Sequence, residues 1–184
     1  MALAFKKYRF TSNAFMRMDE VGIIDPELRC ELIEGEIVEM PPINPPHAAN
    51  VDRINHRLQL RLRDRAIVRV QSPILLDNHS VPIPDIALVA PRADFYETSH
   101  PDPQTIYLVI EVADTTLDYD LEAKSKLYAE AGIPQYWVVD VNARRIHLHM
   151  QPLEKRYAWC LVQDSGTIRI DALSETFDVA ELLG

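Results

Sequence analysis

Residues Ile106-Tyr-Leu-Val-Ile-Glu-Val-Ala113 form an almost wholly apolar run, and the prediction of the fold starts from it. Consecutive apolar residues, rather than alternating ones, are typical of a central strand that is covered on both faces. Glu111 is the exception within the run, and a buried carboxylate without a partner is energetically costly. The stretch therefore predicts a core strand whose acid is held by a metal ion or by Lys124.

A second strand-like stretch lies upstream, in Val81-Pro-Ile-Pro-Asp-Ile-Ala-Leu-Val89, and it contains Asp85. Asp85, Glu111 and Lys124 each occupy a position where a core strand or its following helix should be apolar. Carboxylates at the ends of two neighbouring strands make an oxygen-rich pocket suited to Mg²⁺ or Mn²⁺. A lysine beside an activated water can orient or deprotonate it, so the three residues together suit phosphodiester hydrolysis.

Each of these residues also has a purely structural interpretation. The Pro-Asp dipeptide occurs a second time, at Pro101-Asp102, so it carries little information alone. Lys124 follows Asp120 by four residues, which is the spacing of an acid–base pair that supports a helix by ~0.3–0.5 kcal/mol. The hypothesis of a reactive site therefore rests on the three residues as a set.

The predicted elements follow one another as helix, hairpin, helix, strands, helix and strands. Thr11 caps a short helix, Glu34-Gly35-Glu36 turns a hairpin, and Asn44 caps a helix over about 46–65. Strands are predicted at about 67–76, 83–90, 106–113, 136–141 and 145–150, with a helix at about 119–131 and, in the tail 157–184, two short strands and a helical turn. This order predicts an α/β (α+β) domain built on one mixed sheet.

Arg53, Arg57 and Arg61 recur every four residues and form a row on the second helix, apart from its apolar face. The row predicts either a solvated helix face or the wall of a groove that follows nucleic-acid phosphates. The chain as a whole has 19 basic and 28 acidic residues, and its net charge of −9 disfavours non-specific binding to polyanions. These three arginines are therefore the candidates for a local nucleic-acid contact.

The composition is that of one globular domain, with 184 residues of which 47% are hydrophobic. We predict a single domain over 1–184, with an N-terminal helix and hairpin in 1–45, a catalytic core in 46–150 and C-terminal strands in 151–184. Apolar runs are far shorter than the ~20 residues that cross a bilayer, and no signal peptide is visible. Two cysteines indicate reduced thiols, so we expect a cytoplasmic protein without a membrane partner.

Several motifs, taken in order, resemble one family. They are Glu31-Leu-Ile-Glu-Gly-Glu-Ile-Val38, Pro46-His47, Pro84-Asp85-Ile-Ala-Leu88, Val109-Ile-Glu-Val-Ala-Asp-Thr-Thr116, Asp120-x-x-x-Lys124-x-x-x-Tyr128 and Gly132-Ile-Pro-Gln-Tyr-Trp-Val-Val-Asp140. Their order and spacing resemble the Uma-type family of predicted endonucleases, within the restriction-endonuclease-like superfamily whose motif is PD-(D/E)XK. The resemblance covers residues 11–150 and implies a mixed central sheet flanked by helices.

The resemblance also implies roles for the residues that match the motif. By position, Asp85 is the motif aspartate and Glu111 is the motif acid. Ala113 stands where the motif has lysine, and the resemblance supplies Lys124, projecting from the following helix, as the substitute. Glu31 matches an early acidic position and is implied as an extra metal ligand. His47 matches a family histidine that reaches a phosphate or the metal water, the alternative being a histidine exposed in the first helical turn.

The function predicted from these residues is Mg²⁺- or Mn²⁺-dependent hydrolysis of DNA phosphodiester bonds. Asp85 and Glu111 are expected to hold the metal, with Glu31 completing its ligands and Lys124 positioning or activating water. The alternative, favoured by Ala113 and by the net charge of −9, is a catalytically inactive nuclease-like module that binds nucleic acid or another partner. A second alternative is a structural homo-oligomer built on the apolar tail strands, and a third, weaker one is a hydrolase of another phosphate ester. A homodimer is compatible with nuclease activity too, and two-fold dimers are the commonest soluble assembly.

Overall fold

A six-stranded mixed sheet forms the centre of the molecule, in a computed structural model that describes residues 7–184. The first six residues of the predicted N-terminal segment 1–45 lie outside the described residues. The strand order is β3-β4-β5-β6-β7-β8, and β5 and β6 are parallel while all other neighbours are antiparallel. These strands are β3 (Ile67–Val70), β4 (Ile86–Val89), β5 (Ile106–Ala113), β6 (Gln135–Asp140), β7 (Arg145–Leu153) and β8 (Arg156–Gln163). The predicted mixed sheet flanked by helices is confirmed.

Helix α2 (Pro45–Leu62) covers one face of the sheet. Asn44 caps it by accepting a hydrogen bond from the backbone N–H of His47 at 3.0 Å, and prolines occupy its first turn. Its buried residues Val51, Ile54, Leu58 and Leu62 pack against the residues of β5 that point to this face. The C-terminal hairpin of β9 (Thr167–Ile170) and β10 (Glu175–Asp178), with helix α5 (Val179–Leu183), closes the same core.

The other face of the sheet carries the connection between the two parallel strands. Three consecutive helical pieces, which we call the crossover helix, run from α3 (Leu117–Tyr119) through a π-helical turn (Asp120–Lys124) into α4 (Ser125–Glu130). Beside it lies a hairpin of β1 (Cys30–Ile33) and β2 (Glu36–Glu39), preceded by helix α1 (Ser12–Glu20). Side chains alternate along a strand, so Val109, Glu111 and Ala113 of β5 all point to this face.

Two predicted strands are shorter than expected, and proline explains both. The strand predicted at 83–90 is only Ile86–Val89, because Pro82 and Pro84 have no N–H to donate to a neighbouring strand. The strand predicted at 67–76 ends at Val70, where Gln71 has a positive φ of 45° and Pro73 follows. The segment beyond Val70 still runs beside the Pro82 region, since the N–H of Ile74 donates to the Pro82 carbonyl at 3.0 Å.

The remaining differences are at helix and strand ends. The helix predicted at 46–65 ends at Leu62, where Arg63 adopts a positive φ of 47°. The tail contains three strands instead of the two predicted, because the segment Arg156–Gln163 pairs with β7 as a full strand of the central sheet. Within residues 7–184, none of the helices has the length and apolar character needed to span a bilayer.

Candidate active site

The carboxylates of Asp85 and Glu111 each accept a backbone N–H from the opposite segment, where β4 and β5 adjoin. The N–H of Asp85 donates to Glu111 Oε2 at 3.1 Å, and the N–H of Val112 donates to Asp85 Oδ2 at 2.9 Å. The register in which Ile86 faces Ile110 places Asp85 directly opposite Glu111, just where Pro84 ends the ladder of backbone hydrogen bonds. The predicted convergence of two acids separated by 26 residues is therefore present in the structure.

Lys124 lies on the buried side of this pair. Its Nζ is 2.9 Å from Glu111 Oε1 and 2.9 Å from Glu31 Oε1, and the residue is only 1% exposed. Tyr128, one turn further along the crossover helix, donates its hydroxyl to the same Glu111 oxygen at 2.8 Å. The ion pairs of Lys124 thus join the crossover helix to two other elements. Lys124 therefore does not form the helix-supporting ion pair with Asp120 that the spacing of the two residues allowed. Lys126, two residues on, is exposed.

Glu31 is buried in β1 and acts as the second anchor of Lys124. Its Oε1 accepts the N–H of Ile83 at 2.6 Å in addition to the lysine ammonium. Its Oε2 is buried without a hydrogen-bond partner among the described residues. Glu31 is not among the residues that line the open cleft above Asp85 and Glu111. Its role as a third metal ligand therefore stays a prediction.

His47 stands in the first turn of α2 and faces Asp85. Its Nε2 lies 2.9 Å from Asp85 Oδ1, yet the pair does not have hydrogen-bond geometry, so within residues 7–184 this buried nitrogen has no hydrogen-bond partner. The side chain is largely buried, which excludes the alternative of a histidine exposed in the first turn. Burial and the nearby Arg29 lower the pKa of His47, and its imidazole is therefore neutral near pH 7.

An open cleft exposes one side of the Asp85–Glu111 pair. Lys124 and Tyr128 are buried and are not among the residues that line this cleft. The polar residues that line it are Arg29, Asn44, His47, Asp85, Glu111, Asp114, Thr115, Thr116 and Asp120. Among these, Arg29 is the cationic side chain, and it lies close enough to His47 to lower the pKa of that imidazole.

The buried charges around the cleft do not balance. Four carboxylates, those of Glu31, Asp85, Glu111 and Asp120, are buried, and Lys124 is the buried ammonium that they surround. Burial, followed by repulsion from Glu111, raises the pKa of Asp85 to about 7 and that of Asp120 to about 7. Burial likewise raises the pKa of Glu31. The site therefore contains more buried carboxyl groups than its own cations can offset, and a bound cation would stabilise their charged form in place of protons.

The donor atoms fit a hard divalent cation that keeps part of its hydration. Within residues 7–184, no group of three or more His, Cys, Asp and Glu side chains is arranged to hold a metal ion by itself. Mg²⁺ is usually bound through one or two carboxylates, with water and substrate phosphates as its other ligands. The carboxylates of Asp85 and Glu111, which both line the cleft, match that smaller set.

Sequence reasoning missed Asp120, Gln71 and Arg29. Asp120 belongs to the π-helical turn, accepts the Thr116 hydroxyl at 2.6 Å and lines the cleft, whereas in the sequence it resembled an ordinary acid at a helix start. Gln71 donates its side-chain amide to Asp85 Oδ1 at 3.2 Å, from a segment predicted to continue a strand. The resemblance to the family could have pointed to Asp120, which is part of a matching motif. Gln71 and Arg29 lie outside the matching motifs.

The arginine row on α2 is engaged within the molecule at two of its three predicted positions. Arg53 donates to the Leu183 carbonyl at 3.1 Å, and Arg61 donates to Glu175 Oε1 at 2.7 Å and stands over the ring of Phe177. Arg57 is exposed. Arg61 lies 14 residues along α2 from His47, or about 21 Å at 1.5 Å per residue. The structure thus shows Arg53 and Arg61 fastening the C-terminal segment, while the nucleic-acid contact stays a prediction.

Comparisons with known proteins bear on the family and on the fold of the chain. A family model named Uma2 and described as "Putative restriction endonuclease" matches residues 13–180. A crystal structure from Anabaena variabilis, described as that of "a putative nuclease", is similar with a TM-score of 0.69 at 16% identity, covering 95% of this chain and 97% of that chain. At that identity the likeness shows the fold alone. None of the curated proteins matches the chain.

The charge imbalance predicts a large effect of removing the buried ammonium. Lys124→Met should lower the free energy of unfolding by about 3–5 kcal/mol, because Glu31 and Glu111 lose their cationic partner inside the protein. Adding Glu31→Gln should recover part of the loss, since one uncompensated carboxylate is then removed. Urea unfolding followed by circular dichroism measures both. Lys126→Met, on the exposed side of the crossover helix, is the control and should stay within about 0.5 kcal/mol of wild type. Equal stabilities of the 124 and 126 variants would contradict the assignment.

Proposed function

The chain belongs to the Uma2 family of restriction-endonuclease-like proteins, and from this premise we propose that it is a divalent-metal-dependent endonuclease that hydrolyses DNA phosphodiester bonds. We further propose that residues 1–184 act as one catalytic domain. The observation that carries the proposal is the excess of buried carboxylate beside an open cleft, at the place where Asp85 and Glu111 meet. A purely structural cluster of acids would have no need of an opening to solvent.

Asp85 and Glu111 are the residues proposed to hold the metal ion. When bound there, Mg²⁺ or Mn²⁺ would activate water and stabilise the negative charge that develops on the phosphate. Both carboxylates are already oriented, Asp85 by the N–H of Val112 and the amide of Gln71, and Glu111 by Lys124, Tyr128 and the N–H of Asp85. Such fixed orientation means that little reorganisation is needed when the ion and the substrate bind.

Lys124 is proposed as a positioning residue. Although burial opposes its charge, Glu111 and Glu31 raise the pKa of Lys124 above its usual value, so the ammonium keeps its proton. This disfavours the predicted role of Lys124 in deprotonating water. We propose instead that Lys124 orients Glu111, whose Oε1 accepts a hydrogen bond from its ammonium. His47 Nε2, which faces Asp85 without a hydrogen bond, is the nitrogen proposed to accept a proton in the cleft.

Arg29 is proposed to contact the substrate phosphate. It lines the cleft near His47, and a guanidinium can donate two parallel hydrogen bonds to phosphate oxygens. A cation at this position also offsets part of the negative charge that the cleft presents to a polyanion.

The second candidate function is the catalytically inactive module that binds nucleic acid or another partner. The observation that favours it is that Ala113 replaces the motif lysine while Lys124 is held beneath the cleft between two glutamates. Such a module needs no metal ion at Asp85 and Glu111. Cleavage and metal binding therefore separate the two functions.

Cleavage is the first test. Wild-type protein should nick or linearise supercoiled plasmid DNA in Mg²⁺ or Mn²⁺, and Asp85→Asn or Glu111→Gln should reduce the rate by about 10² or more. Each substitution keeps the shape of the side chain while removing its charge, so circular dichroism should show a folded protein. Asp140→Asn, an acid that is buried in β6 and lies outside the cleft, serves as the control and should cleave at the wild-type rate. Absence of cleavage of DNA by the folded wild-type protein would count against the nuclease.

Metal titration is the second test, and it needs no substrate. Isothermal calorimetry with Mn²⁺ should show one binding event for the wild type and for Asp140→Asn, and none for Asp85→Asn, because that variant loses a charged oxygen ligand. Binding that is unchanged in Asp85→Asn would place the ion elsewhere. A wild type that binds no Mn²⁺ would favour the inactive module.

The phosphate contact is tested by charge removal at Arg29. Arg29→Gln should raise KM for DNA about tenfold, since hydrogen bonds to charged groups contribute about 1.5–3 kcal/mol. Arg17→Gln, on the exposed side of α1, is the matched control and should leave KM unchanged. Arg57→Gln reports on the helix row in the same assay, where a raised KM supports the predicted groove wall. An Arg29 variant with wild-type KM would remove Arg29 from the phosphate site.

A further inference from the structure

Strand β8 is an open edge of the central sheet. It pairs with β7 on one side, and within residues 7–184 no strand pairs with its other side. An open edge presents unpaired N–H and C=O groups, and proteins usually protect such edges with charges, proline, bulges or a short length. β8 has eight residues and carries Ala158-Trp-Cys-Leu-Val162 at its centre, without a charge or a proline there. The opposite edge, β3, has only four residues and includes Arg69.

The side chains at the centre of β8 are exposed on both faces of the sheet. Trp159 is 57% exposed, Val162 is 55% exposed and Leu161 is 46% exposed. Successive side chains of a strand point to opposite faces, so Trp159 and Leu161 lie on one face and Ala158, Cys160 and Val162 on the other. An apolar strand that is uncovered on both faces and at its edge fits a partner that continues the sheet.

The pairing with β7 shows which backbone groups of β8 point outward. Pro152 has no N–H and faces Tyr157, which fits a residue pair that does not exchange hydrogen bonds. Such pairs alternate with hydrogen-bonded ones along an antiparallel ladder, so Trp159, Leu161 and Gln163 follow Tyr157 in turning their N–H and C=O to the open edge. A second antiparallel strand must therefore form its hydrogen-bonded pairs with these residues.

One self-complementary arrangement meets that condition and also matches charges. If Cys160 lies on a two-fold axis opposite the partner's Cys160, then Trp159 exchanges hydrogen bonds with the partner's Leu161, and Tyr157 with the partner's Gln163. In the same register Arg156 at one end of β8 faces the partner's Asp164, just beyond the other end. Opposite charges on directly opposed residues stabilise an antiparallel pair, and here both ends of the interface gain one.

We propose that two copies of this chain associate through antiparallel pairing of their β8 edges about a two-fold axis at Cys160, which joins the two central sheets into one. The inference depends on the sheet edge alone and is independent of the proposed nuclease chemistry. The occupant is a second copy because the apolar centre and the charged ends of β8 are complementary to themselves.

The assembly is tested by sedimentation equilibrium of the full-length protein. Wild type should be a dimer, and Leu161→Lys should be monomeric, because an edge lysine blocks strand addition. Leu60→Lys, at an exposed leucine on α2, is the matched control and should stay dimeric. Arg156→Glu should raise the dissociation constant about tenfold, and Arg156→Glu combined with Asp164→Arg should restore it, since only this register opposes the two positions.

Oxidative cross-linking tests the axis itself. Non-hydrogen-bonded antiparallel pairs have Cα atoms about 4.5 Å apart, within the range that a disulfide bridges. Diamide, which takes up two electrons and two protons as two thiols become one disulfide, should therefore link wild type and Cys30→Ala into covalent dimers and leave Cys160→Ala and Leu161→Lys unlinked.

Four outcomes would each overturn the proposal. They are a monomeric wild type, a dimeric Leu161→Lys variant, a charge swap that does not restore the dissociation constant, and a folded wild type that does not cross-link. A monomer whose Trp159 fluorescence is quenched by single-stranded DNA would instead assign the exposed face to base stacking.

Discussion

The buried ammonium of Lys124 joins three elements of the structure. It is buried between Glu31 of the hairpin and Glu111 of the central sheet, and it comes from a third element, the crossover helix. Each carboxylate alone would be costly to bury, and the lysine alone would be as well, so the three elements are stable in this arrangement only together. Tyr128, one turn beyond Lys124, adds a third contact, a hydrogen bond to the same Glu111 oxygen that Lys124 contacts. The hairpin, the sheet and the helix are thereby held in a fixed relation beneath the cleft.

The cleft exists because the regular sheet stops at Pro84. That residue has no N–H, so the ladder between β4 and β5 ends beside Ile86 and Ile110. The N–H of Val112 then bonds to the carboxylate of Asp85, while the N–H of Asp85 bonds to Glu111. Like charges that lie directly opposite in a sheet are destabilising, and these backbone bonds are what hold the pair in place. The same local irregularity therefore ends a strand, orients two acids and places them in the lining of the cleft.

The sequence predicted the features that depend on local pattern. The apolar run around Glu111, the proline before Asp85 and the spacing of the capped helices each carry their own physical signal, and the resemblance pointed to Lys124 in place of a strand lysine. What could not be predicted depends on distant partners. The engagement of Arg61 by Glu175 joins residues 114 positions apart, and no pattern within α2 reveals it. The π-helical turn Asp120–Lys124 was not predicted either, and it lies where Lys124 reaches a buried pair of glutamates.

The acidity of the chain and a polyanionic substrate are compatible if charge is considered locally. The net charge of −9 acts over the whole surface and is screened by salt within about 8 Å at physiological ionic strength. Under the proposed function, Asp85, Glu111 and Asp120 at the cleft would attract a divalent cation, and the cation would reverse the sign of their interaction with a phosphate. Arg29 and the first turn of α2 stand at the same opening. An acidic protein could in this way present a local site for an anion once the ion is bound, and under the proposed function its affinity for DNA would depend on the metal as much as on its arginines.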